Sequence, residues 1–405
     1  MIRRKPFWLD RFPKSRRPSY PRLRGHAEAP VVIIGGGLTG AACALSFGAA
    51  GIRAIVLEAD RIGGGATAGS AGFIREDFDA SFQETAKAHG LRASRLMWQG
   101  MRRAALDLAA TLRRFQVRCD LAPQDLLLLA RDAAAEKALR KEYQARRDAG
   151  LDHTWITAAA LKREAAIDAG GAIRTRAAVF DPFRACLGLA AAASARGAEI
   201  YESSPVERIR MARKHVQVST KHGTVQAEAV VVATAARLAD LRALRRHFRT
   251  EHSYAVVTEP LPPAVRRELG SRSSGIRTGR VPPQFLRWMK DDRVLFAGAD
   301  QPEVPSRLRD KALVQRTGEL MYELSVLYPP ISGAMPEWGW DFSHDTSVDG
   351  LPCIGVHRNF PRHLFALGHG RHGAATAWLA ARLLLRRFRD EPARGDEFFG
   401  FGRIL

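Results

Sequence analysis

The chain has 405 residues, 46% of them hydrophobic, which is enough for two or three domains with a sizeable buried core. Lys and Arg number 63 against 42 Asp and Glu, a formal charge of +21; the basic residues are scattered and cluster clearly only in the first 24, so a nucleic-acid partner is open but not favoured over a compositional bias. The sequence lacks an apolar run of 18 residues, a signal-peptide stretch, a C-x-x-C pair and any metal-ligand spacing of histidines, so it predicts a cytoplasmic protein with no transmembrane segment, no iron–sulfur or structural zinc site and no catalytic metal.

Residues 1–29 carry four prolines among basic and aromatic residues and read as an extended arm that packs through Phe7, Trp8 and Tyr20. Residues 31–34 form an apolar β-branched strand that runs into Gly35-x-Gly37-x-x-Gly40 and a helix over 40–50. Gly35 permits the tight turn, Gly37 lets backbone N–H groups approach a pyrophosphate, and Gly40 lets helix and sheet pack closely. Leu38 and Thr39 lie between these glycines, at the positive end of the helix dipole. Glu58, followed by Ala59, closes the next apolar run and suits a ribose diol, while its charge disfavours a 2′-phosphate. The motif by itself does not separate NAD from FAD.

A second glycine-rich stretch follows at 63–72. Residues 79–170 are mostly helical in pattern. A helix over 183–197 leads to short strands near 198–201, 206–211 and 215–220, then to the fully apolar strand 230–235, which returns the chain to the nucleotide fold. Between 240 and 345, strand-like segments alternate with Pro-rich turns and predict a mainly antiparallel sheet. Finally a strand at 364–367 enters Gly368-His-Gly-Arg-His-Gly373 and a helix over 374–389 with a basic end.

Three ordered blocks resemble the FAD-dependent amino-acid oxidase superfamily, which contains glycine oxidase, D-amino-acid dehydrogenase and sarcosine oxidase. They are 31–74, with Thr67-x-x-x-Ala71-Gly72; 179–235, with Ser204-Pro205-Val206 and Val232-Ala233-Thr234; and 349–385, where Asp349-Gly-Leu-Pro-Cys353 precedes Gly368–Gly373. The resemblance implies an α/β fold: a Rossmann-like FAD-binding domain from 30–78, 171–239 and 346–405, and an α+β, mainly antiparallel substrate domain from 79–170 and 240–345. It implies that Thr67, Ser70, Ala71 and Gly72 line the flavin, that Val206 meets the adenine, that Ala233 and Thr234 complete the nucleotide side, and that Gly368, Gly370 and Gly373 bring a helix N-terminus to the pyrimidine end of the ring.

The expected reaction is oxidation of a C–N bond in an amine or amino acid by hydride transfer to the flavin, with molecular oxygen or an electron-transfer protein as acceptor. Arg371 is the candidate carboxylate clamp, His372 a flavin or proton partner, and Arg287 and Tyr254 further candidates from the substrate sheet. One departure stands out: the Arg expected shortly before the Asp-Gly-x-Pro segment is absent from Trp338-Gly-Trp-Asp-Phe-Ser-His344, so carboxylate recognition differs or the substrate is not a simple amino acid. The loop 63–72 has no His, and the run before Asp349 no Cys, that would match a covalent flavin link, so noncovalent FAD is expected. The alternatives are a flavoenzyme removing a substituent from a modified tRNA base and a non-catalytic FAD-holding interaction protein.

Overall fold

The strand Val31 to Ile34 shows why so apolar a segment forms the middle of a sheet: its residues are all buried, with Val31 and Ile33 in one core and Val32 and Ile34 in another. Covering both faces removes the polar alternation of a half-exposed strand. A computed structural model describes residues 2–404 except 235–238 and 372, and describes no side chains for 239 and 240. The proposed site residue His372 therefore lies outside the described residues.

Two eight-stranded sheets organise the chain. In the first, Gly25–Ile34 lies between Gly223–Val232 and Ala54–Leu57, all parallel, with Glu199–Tyr201 beyond Ala54–Leu57. The last residues of Gly223–Val232 also pair in parallel with Phe360–Leu367, while its first residues pair with the antiparallel ribbon of Val216–Thr220 and Val206–Met211. The helix Leu38–Ala49 follows the central strand and packs against the helices Pro182–Ser194 and Ala374–Phe388. This is the α/β, Rossmann-like half, assembled from discontinuous segments.

The second sheet is mainly antiparallel and is ordered Pro336–Ser347, Phe248–Thr258, Val294–Pro302, Phe285–Trp288, Gly275–Arg277, Leu126–Ala130, Gly171–Thr175 and Thr154–Thr157. Three of these strands differ from the sequence expectation. Leu126–Ala130 and Thr154–Thr157 come from the stretch that reads as helical, and Gly171–Thr175 joins this sheet although the expected boundary at 171 assigns it to the nucleotide side. A four-leucine run carries no period, so its sheet partners decide its structure. Likewise, the central strand begins at Gly25, inside the expected arm.

The remaining arm is tied down. Arg3 adds a bridge to the edge strand through Arg3 N to Glu337 O at 2.9 Å and Gly339 N to Arg3 O at 3.0 Å. Phe7 packs edge-on against Trp338 at 4.9 Å, and both rings are buried. The four cysteines are buried and unpaired with one another. No described helix is long and apolar enough to cross a membrane.

Phe7→Ala should therefore lower the unfolding free energy by about 3 kcal/mol, the usual cost of emptying a buried aromatic site. Urea unfolding followed by tryptophan fluorescence checks this, and an unchanged midpoint would show that the arm contributes nothing to the core.

Candidate functional site

The glycine turn is dictated by backbone clearance. Gly35 has φ +106°, and a Cβ there would lie 2.6 Å from the Ala233 carbonyl oxygen; a Cβ on Gly40 would lie 1.8 Å from the Gly35 carbonyl oxygen. Strand, turn and helix can approach this closely only with glycine at both places. The helix then opens without a cap from its own N-cap residue, and the hydroxyl of Thr67, on the second glycine-rich stretch, accepts from Leu38 N at 2.9 Å. Glu58 sits beside the turn, accepting from Gly36 N at 2.6 Å and from Asp60 N at 2.8 Å. Burial pushes its carboxyl above the usual range, and the two N–H groups oppose this.

A cleft of about 320 Å³ runs from this turn along the sheet, and a second of about 110 Å³ continues it, sharing Leu38, Thr39, Ala66, Thr67, His369 and Gly370 as walls. Of the expected cofactor residues, Gly35, Gly37, Leu38, Thr39, Glu58, Thr67, Ser70, Ala233, Thr234, Gly368, Gly370 and Gly373 line the two clefts. Gly40, Ala59, Ala71, Gly72 and Val206 do not line them; Gly40 packs under the turn, Ala59 is exposed, and Val206 starts a strand after the loop whose Ser204 N bonds Glu58 O at 2.8 Å.

The stretch 69–72 is held from behind by its carbonyls. Trp340 Nε1 donates to Gly69 O at 2.9 Å, Trp8 Nε1 to Ser70 O at 2.8 Å, and Arg287 Nη1 to Ala71 O and Gly72 O, each at 3.1 Å. Arg287 Nη1 also reaches Phe180 O at 2.6 Å, and the guanidinium lies 4.8 Å from the Trp8 ring centroid. Burial lowers its pKa, Asp181 opposing, but a guanidinium with these acceptors stays charged. Arg287 thus faces the back of the loop. Tyr254 is also away from the cleft: it lies in the core on the far face of its strand, and its hydroxyl accepts from Gln301 Nε2 at 2.6 Å.

Arg371 lines the inner cleft, 8% exposed. Its Nη1 donates to Pro283 O at 2.8 Å and its Nη2 pairs with Asp300. Residues without a sequence signal join it: Asp300 Oδ1 accepts from Ser253 Oγ at 2.8 Å, and that hydroxyl is 2.8 Å from His344 Nε2. Burial pushes Asp300 up to about 6, with Arg371 opposing, and pushes His344 down to about 3, Arg371 adding to the effect. Phe342 and Phe73 supply apolar walls, and His344 lines the outer cleft.

The cleft suits a flavin nucleotide on a feature of its own. His369 Nδ1 and Nε2, Arg371 Nε and Thr376 Oγ1 are buried with no well-formed hydrogen bond, four polar atoms within one short stretch of chain. Burial pushes the His369 ring down to about 4, the Ala366 backbone opposing. Buried polar atoms without partners are rare unless a ligand or water completes them. The helix Ala374–Phe388 begins there and directs the positive end of its dipole to the same place.

The family model described as FAD dependent oxidoreductase (DAO) matches residues 30–387. The gamma-glutamylputrescine oxidoreductase of Escherichia coli is 26% identical over 383 residues, covering 94% of this chain and 88% of the relative. Glycine oxidase from Geobacillus kaustophilus superposes with a TM-score of 0.79 at 22% identity, covering 94% of this chain and 100% of that one. L-proline dehydrogenase from P. horikoshii superposes at 0.77 with 19% identity, covering 94% and 98%.

Gly40→Ala should yield protein that is insoluble or free of cofactor, whereas Gly318→Ala, where a Cβ meets nothing within 4 Å, should retain full content; absorbance of the purified proteins distinguishes them. His344 gives a pH signature. Its folded pKa lies below the unfolded value, so only the unfolded state takes up this proton as pH falls below about 6.5, and stability is lost. The stability advantage of the natural protein over His344→Gln should therefore shrink by roughly 1 kcal/mol per pH unit between about 6.5 and 4. Denaturant titrations across that range test it, and a constant difference would contradict a buried neutral imidazole.

Proposed function

The chain belongs to the FAD dependent oxidoreductase family, with FAD as its cofactor, and from this premise we propose that it oxidises a C–N bond of an amine or amino acid. The observation that carries the reading is the continuous cleft itself, which joins the glycine turn and Glu58 at one end to His369, Arg371 and the start of the helix Ala374–Phe388 at the other. Relatives named for an amine, gamma-glutamylputrescine, and for the amino acids glycine and proline support the reaction class.

FAD bound in the cleft would supply the acceptor for a hydride from the carbon beside the amine nitrogen, and the imine so formed would hydrolyse in water. The chain's own residues bind and orient. With Leu38 N taken by Thr67, the next N–H groups at the start of the helix Leu38–Ala49 would hold the pyrophosphate, and Glu58 would hold the ribose diol. Ser70, Thr67, Gly368, Gly370 and Gly373 would hold the ring, and the N-terminus of Ala374–Phe388 would favour negative charge on it. Phe73 and Phe342 exclude water from the reacting carbon. His344 stays neutral, and its Nε2–H donates to Ser253 Oγ, whose own proton goes to Asp300. Noncovalent FAD is in keeping with the loop 63–72, which has no His, and with Cys353, which is buried and takes a hydrogen bond from Arg403 Nη2 at 3.4 Å.

Anaerobic addition of a panel of primary and secondary amines and amino acids to the purified protein should bleach the oxidised flavin absorbance with at least one member. Readmitting air then separates molecular oxygen from an electron-transfer protein as acceptor by the speed of reoxidation. A flavin that stays oxidised with every compound contradicts the proposed reaction.

A further inference from the structure

A guanidinium that clamps a substrate carboxylate needs its fork of N–H groups open. The fork of Arg371 is already partly occupied: Nη2 is paired with Asp300 and Nη1 is bonded to Pro283 O at 2.8 Å, which leaves Nε–H and one N–H on each Nη, and its charge is offset by the Asp300 carboxylate. Asp300, near the end of the strand Val294–Pro302, is itself locked, its side chain 2% exposed and hydrogen-bonded to Ser253 Oγ. A carboxylate arriving at Arg371 would either displace Asp300 and leave a buried anion without its cation, or share that one cation with a buried carboxylate close by, and both are unfavourable.

The surroundings make the exchange harder. Glu251 brings a second carboxylate: one oxygen each from Glu251 and Asp300 and a ring nitrogen of His344 all lie within 4.8 Å of one another. With His344 neutral, the set Arg371, Asp300 and Glu251 carries one net negative charge. Arg75 and Arg277, buried beside Phe285, are also committed, Arg75 to Asp77 and Asp79 and Arg277 to Asp77.

We infer that Asp300 is a specificity-determining residue: by occupying the Arg371 fork it turns the cleft away from substrates with a carboxylate beside the reacting carbon and toward cationic amines that lack one. The inference rests on reading the cleft as the FAD-linked amine site. It accounts for the missing arginine in the run 338–344, since a site that does not bind a carboxylate needs no second cation there.

The test uses the flavoprotein as purified and reads the perturbation of its flavin spectrum during titration, with benzoate as the carboxylate probe and benzylamine as the amine probe. The natural protein should bind benzylamine at least tenfold more tightly than benzoate. Asp300→Asn, which keeps the shape but frees the Arg371 fork, should gain at least tenfold in benzoate affinity, and the double variant Asp300→Asn, Arg371→Met should lose that gain. Benzoate binding by the natural protein as tight as benzylamine binding overturns the inference without any variant. So does an unchanged benzoate affinity in Asp300→Asn, or a gain that survives in the double variant. Those results leave the flavin and its amine reaction intact, whereas a protein that carries no flavin overturns the proposed function and this inference together.

Discussion

Four consecutive carbonyls, those of Gly69, Ser70, Ala71 and Gly72, are gripped by the side chains of Trp340, Trp8 and Arg287, and the rest of the site depends on that grip. Because each peptide is trans, fixing a carbonyl direction fixes the following N–H on the opposite side. Donors from the arm and from two strands of the second sheet thereby set the orientation of a loop that belongs to the first. A buried Arg bonded to three backbone carbonyls is costly to place and more costly to lose, since removing it would strand those acceptors.

The two sheets divide the work along this seam. The parallel core of the first sheet, buried on both faces, presents a glycine turn whose close approaches leave no room for side chains, so cofactor binding there is a property of backbone geometry. The antiparallel sheet presents side chains, and its period of two separates them: Ala255 and Val257 face the cofactor side core while Tyr254 and Val256 face the core under the helix Arg309–Leu327. Polar chemistry on this sheet is gathered where Ser253, Asp300 and His344 meet across three neighbouring strands.

This division explains what was legible in the sequence. The turn at Gly35 to Gly40, the return strand at Val230 to Val232 and the late glycine cluster are local patterns, each imposing its conformation on a few adjacent residues, and the α/β class with a second, antiparallel sheet follows from their order. Asp300, Ser253 and His344 are remote in sequence and become neighbours only through strand register, so no local spacing marks them. Arg287 and Tyr254 lie in strand-like segments, where a polar residue among apolar ones marks a buried role without saying which face it serves. The strand Leu126–Ala130 was hidden for a related reason: four leucines have neither a helical nor a strand period, and the pairing with Gly171–Thr175 and Gly275–Arg277 decides the outcome.

A crystal structure of the purified protein with its own flavin tests the account most directly. The flavin ring should lie between the 67–73 segment and the 368–373 segment, with Arg371 still paired with Asp300 and Arg287 still on the carbonyls of Ala71 and Gly72. A ring bound elsewhere, or an Arg371 turned away from Asp300 toward open cleft, would contradict it.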